Sequence, residues 1–167
     1  MTACSPTEPP AHAALVGRTA EPALRLGVGA DPAGVSAASA WIREFAASLD
    51  FPADDVYRLD LCLSEIVANV VEHSSAGRRV GRVDLEASAS ADASSISVTV
   101  ADDGEPFDPL SAPAPAGFGD PAQIQIGGLG IHLVRAYADA CRYERAARHN
   151  RFTFNVTRGG QGAGDDA

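Results

Sequence analysis

The sequence predicts an α+β fold: a two-layer α/β sandwich in which a mixed, mostly antiparallel sheet carries its helices on one face. Three observations point there. Apolar residues recur at helical spacing through two segments between residues 31 and 73. The spacing then switches to a period of two after residue 80, and does so again near the C-terminus. A length of 167 residues suits one domain with a fair-sized core and leaves little room for a second.

Residues 1–22 are rich in Ala, Pro and Thr without apolar periodicity, and residues 158–167 form a Gly- and Asp-rich tail. Both ends read as disordered, which leaves a folded unit over 23–157. Leu24 to Val28 alternates like a short strand. Asp31-Pro32 then opens a helix whose apolar positions are Val35, Ala38, Ile42, Phe45 and Leu49. Pro52 suits the first turn of a second helix, where Asp54 and Asp55 complement the positive end of the dipole. Val56, Leu59, Leu63, Ile66, Val67 and Val70 repeat at helical spacing from there to about His73. At 100° per residue, Arg58, Cys62, Glu65, Asn69, Glu72 and His73 fall on a different side from these, so Glu65 and Asn69 project together away from the core.

Val83, Leu85 and Ala87 alternate with polar residues, as do Ile96, Val98 and Val100, which predicts antiparallel strands with one wet face. The Pro- and Gly-rich stretch over about 107–127 has hardly any periodicity and reads as a lid. A third helix runs from about Leu129 to Ala138. Cys141 to Arg145 and Phe152 to Val156, separated by the turn-like Arg148-His149-Asn150, form a closing hairpin.

Composition excludes several classes. A net charge of −9 and a pI near 4.7 argue against an affinity built on gripping phosphate backbones, so direct nucleic-acid binding is not expected. Cys4, Cys62 and Cys141 have neither disulfide nor zinc spacing. The start lacks a basic region and the apolar run from Ala13 to Val16 is too short for a signal or a span, so a cytoplasmic chain without a membrane anchor is expected. His73 reads as a helix-end residue and His149 as part of a turn.

Three segments carry the chemistry. Glu65 and Asn69 lie one helical turn apart; an amide oxygen suits Mg²⁺, a hard cation, and a carboxylate one turn earlier can accept a proton from an attacking hydroxyl. Asp102 ends a strand directly before Gly104, which lets the backbone turn sharply and leaves a carboxylate facing a pocket, where it can accept from an adenine amino group. Gly127, Gly128 and Gly130 open a helix and allow backbone amides to approach phosphate. Each segment also has an ordinary reading: a solvated helix face, a strand-ending turn, and a hinge before a packed helix. Their order is what points to a magnesium nucleotide site.

In that order the segments resemble the Bergerat-fold (GHKL) ATP-binding domains shared by gyrase, histidine kinases and the anti-sigma serine/threonine kinases. Glu65 to His73 is similar to the N box, Asp102 to Phe107 to the first glycine box, and Gly127 to Leu133 to the second. Asp-Asp-Gly-Glu-Pro-Phe-Asp-Pro at 102–109 looks most like the anti-sigma kinase branch. The resemblance implies ATP and Mg²⁺ as cofactors, Glu65 as general base, Asn69 as the metal ligand, and Asp102 as the adenine contact. It implies Gly104, Gly128 and Gly130 as backbone elements around the nucleotide, with Thr153 adding an adenine-side hydrogen bond. As partners it implies a sigma factor and a STAS-type antagonist, with the antagonist phosphorylated on Ser or Thr, and a homodimer through an exposed first helix. A binding module that keeps the fold and only sequesters its partner is the alternative.

Overall fold

Asp31 starts the first helix by keeping an extended backbone (φ −147°, ψ 171°) while its carboxylate accepts from the Gly34 amide at 2.8 Å, with Pro32 in the first helical position. The computed structural model describes residues 23–75, 81–111 and 129–160. Its strands are β1 (Leu24–Gly29), β2 (Arg82–Ala89), β3 (Ser95–Asp102), β4 (Ala140–Ala146) and β5 (His149–Thr157). Its helices are α1 (Pro32–Ser48), α2 (Ala53–Ser75) and α3 (Leu129–Tyr137), with a 3-10 turn at Pro109–Ser111.

The sheet order is β1-β2-β3-β5-β4, and every described pair is antiparallel. The expected α+β sandwich is present, whereas the mixed character is not. β4 does run in the direction of β3, but the β4–β5 hairpin inserts β5 between them, so no parallel pair forms. Period two divides each strand cleanly. Val83, Leu85, Ile96, Val98, Val100, Phe152, Phe154 and Val156 are buried beneath the helices. Alternate residues face outward, where Thr99 and Thr153 share a hydrogen bond of 2.9 Å across the β3–β5 pair.

α2 is the central helix. α1 packs along it and α3 lies against it as well, while α2 itself reaches β3 and β5. This second neighbour overturns one reading of the helical face. Arg58 and Cys62 project toward α3 and the end of the sheet and are buried, not turned to solvent. Arg58 pairs with Asp55 at 3.1 Å and Asp139 at 2.8 Å, and donates to the carbonyls of Tyr137 at 2.9 Å, Thr157 at 3.3 Å and Gly160 at 2.7 Å. One guanidinium thus ties α2 to the end of α3, the approach to β4 and the chain just beyond β5.

The chain past residue 157, read as the beginning of a loose tail, is fastened as far as Gly160. The Gly159 amide donates to Asp55 at 2.8 Å, and Arg158 donates to the Asp50 carbonyl at 2.7 Å while its guanidinium lies 4.5 Å from the centre of the Phe51 ring. Residues 1–22 and 161–167 lie outside the described residues, as does most of the expected lid. Among the described residues no helix is long and apolar enough to cross a membrane.

Candidate functional site

β3 carries the pattern Ile96, Val98, Val100, Asp102 on its inward face, so its last inward side chain is a carboxylate instead of a methyl-rich one. Asp102 is 8% exposed. Its Oδ1 accepts from the Gly104 amide at 2.8 Å and from Asn150 Nδ2 at 2.9 Å. Oδ2 takes no hydrogen bond from any described residue. The first of these bonds closes the turn for which the sequence supplies Gly104.

Asp102 lines a cleft between α2 and the end of the sheet. Ile66, Val100 and Phe152 form its apolar walls, Asn69 and His73 line it from α2, and Gly104, Glu105 and Phe107 from the loop after β3. Apolar walls around one buried acceptor suit a flat heterocycle carrying an amino group. His73 Nδ1–H donates to the Asn69 carbonyl at 2.7 Å, and the His73 ring lies over Phe107 with centroids 4.3 Å apart. The loop after β3 therefore rests on α2 at the cleft mouth.

Glu65 sits one turn before Asn69, outside the cleft lining. Its carboxylate packs against Gly130 at the start of α3, where the amide end of that helix favours a negative charge. Asn69, Asp102 and Gly104 thus line one cleft, and Glu65 and Gly130 meet each other outside its lining. Gly130 has a steric role: a Cβ there would collide with Glu65 Oε2. Gly128 lies outside the described residues.

Thr153 requires a correction. The expected adenine-side hydrogen bond is not possible from its position, because β5 turns Phe152 and Phe154 inward and Thr153 outward, onto Thr99. The inward residue opposite Asp102 is Asn150. Its amide is buried and saturated: Nδ2 donates to Asp102 and to the Glu105 carbonyl, both at 2.9 Å. Its Oδ1 accepts from Tyr143 Oη and Arg145 at 2.8 Å each, and from the Phe107 amide at 3.4 Å. Asn150, Tyr143, His73 and Phe107 are the site residues that motif reading missed. The parity of β5 was the available signal for Asn150, while the His73–Phe107 contact joins segments too far apart in sequence to leave one.

Burial pushes the Cys62 thiol up to about 12 and the Cys141 thiol up to about 11, so neither is a nucleophile near neutral pH. Among the described residues no three His, Cys, Asp or Glu side chains converge as a metal cage. The donor set fits a divalent cation that takes one amide oxygen, from Asn69, and completes its shell with phosphate and water oxygens.

The family model of the histidine kinase-like ATPase domain matches residues 28–155. Among solved structures, that of the RsbU and RsbW domains of Rv1364c from Mycobacterium tuberculosis superposes with a TM-score of 0.58 at 18% identity, over 82% of this chain and 32% of that one. Likeness at that identity speaks for the fold, and this chain spans about a third of the length of that one. No curated protein matches the sequence.

Proposed function

The chain belongs to the histidine kinase-like ATPase domain family, and on that premise we propose that it is an ATP-dependent serine/threonine protein kinase acting as a cytoplasmic anti-sigma regulatory factor. Its targets in this reading are a sigma factor, which it holds, and a STAS-type antagonist, which it phosphorylates. One observation carries the proposal: Asn69 and the buried Asp102 line the same cleft, with Glu65 one helical turn from Asn69.

Asp102 Oδ2, free of partners among the described residues, would accept from the amino group of adenine, while Ile66, Val100 and Phe152 would cover the ring and keep water from the hydrogen bond. Bound Mg²⁺-ATP supplies the phosphoryl group to be transferred. Asn69 would hold the cation through its amide oxygen, and the cation would supply charge neutralisation at the phosphates. Glu65, held beside Gly130, takes the proton of an acceptor hydroxyl that approaches it there. A phosphate adds about −1.5 to −2 charges to the antagonist. Against a chain of net charge −9 that repels the product from the surface on which it docked.

The resting position of Glu65 favours a second reading, in which the fold sequesters its partner without transfer: the carboxylate lies against α3, not in the cleft lining. Calorimetry with ATP, with and without Mg²⁺, on wild type and Asn69→Ala, followed by phosphate transfer to a STAS-domain protein with Glu65→Ala as control, separates the two. Magnesium-dependent binding and transfer lost in Glu65→Ala supports the kinase. Binding without transfer supports the sequestering module, and absence of binding overturns the kinase and leaves a sequestering module that keeps only the shape of an ATPase.

A further inference from the structure

We propose that Asn150 is the positioning residue that makes the cleft selective for a 6-aminopurine over a 6-oxopurine, and that the same amide fastens the loop after β3. The inference rests on the nucleotide reading of the cleft and extends it to a residue that reading does not use.

The orientation of the amide follows from its partners. The Asp102 carboxylate and the Glu105 carbonyl are acceptors only, so both require Nδ2; Arg145 and the Phe107 amide are donors only, so both require Oδ1. A flipped amide would oppose like with like at all four. Asn150 therefore has one conformation, and it holds Asp102 by Oδ1 with Oδ2 left toward the cleft. A carboxylate oxygen fixed in that way accepts from an amino group. It rejects a ring that places a carbonyl oxygen at the same point, as guanine does where adenine has its amino group. Without Asn150 only the Gly104 amide still holds Oδ1, the carboxylate turns more readily about its Cβ–Cγ bond, and the discrimination weakens with it.

The network also reaches the loop after β3 at three successive points. Arg145, whose guanidinium bonds Asn150 Oδ1, donates to the Gly104 carbonyl at 2.7 Å; Asn150 itself takes the Glu105 carbonyl and the Phe107 amide. Phe107 is the residue that stacks on His73. The side chain that fixes the base-reading acid is thus the one that fixes the loop after β3 at Glu105 and Phe107.

The test is calorimetric binding of Mg²⁺-ATP and Mg²⁺-GTP to wild type, Asn150→Ala and Tyr143→Phe, with amide hydrogen exchange at residues 104–107 measured without nucleotide. Tyr143→Phe removes one bond to Asn150 and keeps the ring, which guards against a folding defect in the first variant. Asn150→Ala is expected to lower ATP affinity about tenfold or more, as loss of a hydrogen bond to a charged group does. GTP affinity should change little, so that the ATP:GTP ratio falls, and exchange at Phe107 should quicken. Tyr143→Phe should move the ratio the same way by a few-fold. A wild type that binds ATP, with variants that keep its ATP:GTP ratio, overturns the role of Asn150 alone. A wild type that binds neither nucleotide overturns this role together with the nucleotide reading, whatever the exchange rates.

Discussion

The carboxylate of Glu65 occupies the space that a side chain on Gly130 would need, so the first and third motif segments meet at a single steric contact. Gly130→Ala should displace Glu65 without unfolding α3, since Ala is the better helix former by up to about 1 kcal/mol. The expected outcome is phosphoryl transfer reduced at least about tenfold, because a catalytic group misplaced by about 1 Å loses much of its effect. Stability should stay within about 1 kcal/mol of wild type. Single-turnover transfer beside thermal unfolding checks both halves, and a variant as active as wild type would remove Glu65 from the reaction.

Arg58 is buried among two carboxylates and three carbonyls. Arg58→Met leaves Asp55, itself 2% exposed, without its counter-ion. Urea unfolding should report a loss of about 3–5 kcal/mol, the usual cost of orphaning one partner of a buried pair. A loss below about 1 kcal/mol would mean that the cluster is only decorative.

The β4–β5 hairpin turns through Ala147 and Arg148, whose φ values of 49° and 72° are left-handed, and neither residue is the glycine or asparagine that such a two-residue turn prefers. Replacing the pair by Asn-Gly should raise stability by about 1 kcal/mol or more. The check is a higher urea midpoint at unchanged m.

Burial raises the Cys62 and Cys141 thiols above their ordinary 9.0, to about 12 and about 11. Between pH 9 and those values the unfolded chain releases thiol protons that the folded chain keeps, so unfolding gains and stability falls as pH rises. Below pH 9 the two thiols contribute no slope. Urea midpoints at pH 8 and pH 10.5 should therefore separate further for wild type than for Cys62→Ala, and iodoacetamide at pH 8 should label Cys62 and Cys141 only after denaturant is added.

How far the sequence reached depended on which neighbour each residue required. The alternation in β2 and β3 needs only one buried face, and it correctly turned Val83, Val98 and Val100 inward and Asp102 with them. The same alternation in β5 turns Asn150, Phe152 and Phe154 inward, and it contradicts the position that motif resemblance lends to Thr153. Arg58 and Cys62 were misread because a helical wheel assumes one buried side, whereas α2 is covered by α1 and the sheet on one side and by α3 on another. Glycine at 130 was legible as a place of close approach. What approaches it, a carboxylate from a helix more than sixty residues earlier, becomes visible only once α2 and α3 are packed.

The Arg58 cluster sits near the beginning of α2, and everything of chemical interest on that helix lies beyond it. At about 1.5 Å of rise per residue, Glu65 stands about 10 Å and Asn69 about 16 Å along the axis from Arg58. α2 is in this respect a beam pinned by ions at its start and braced along its span by α1, α3 and the sheet. A tilt of about 5° at the clamp moves the Glu65 backbone by about 1 Å and that of Asn69 by somewhat more, displacements of the size that alignment of a reacting group does not tolerate. In the proposed kinase, the tolerance of the chemistry is thereby shared between that packing and an ion cluster outside the cleft lining.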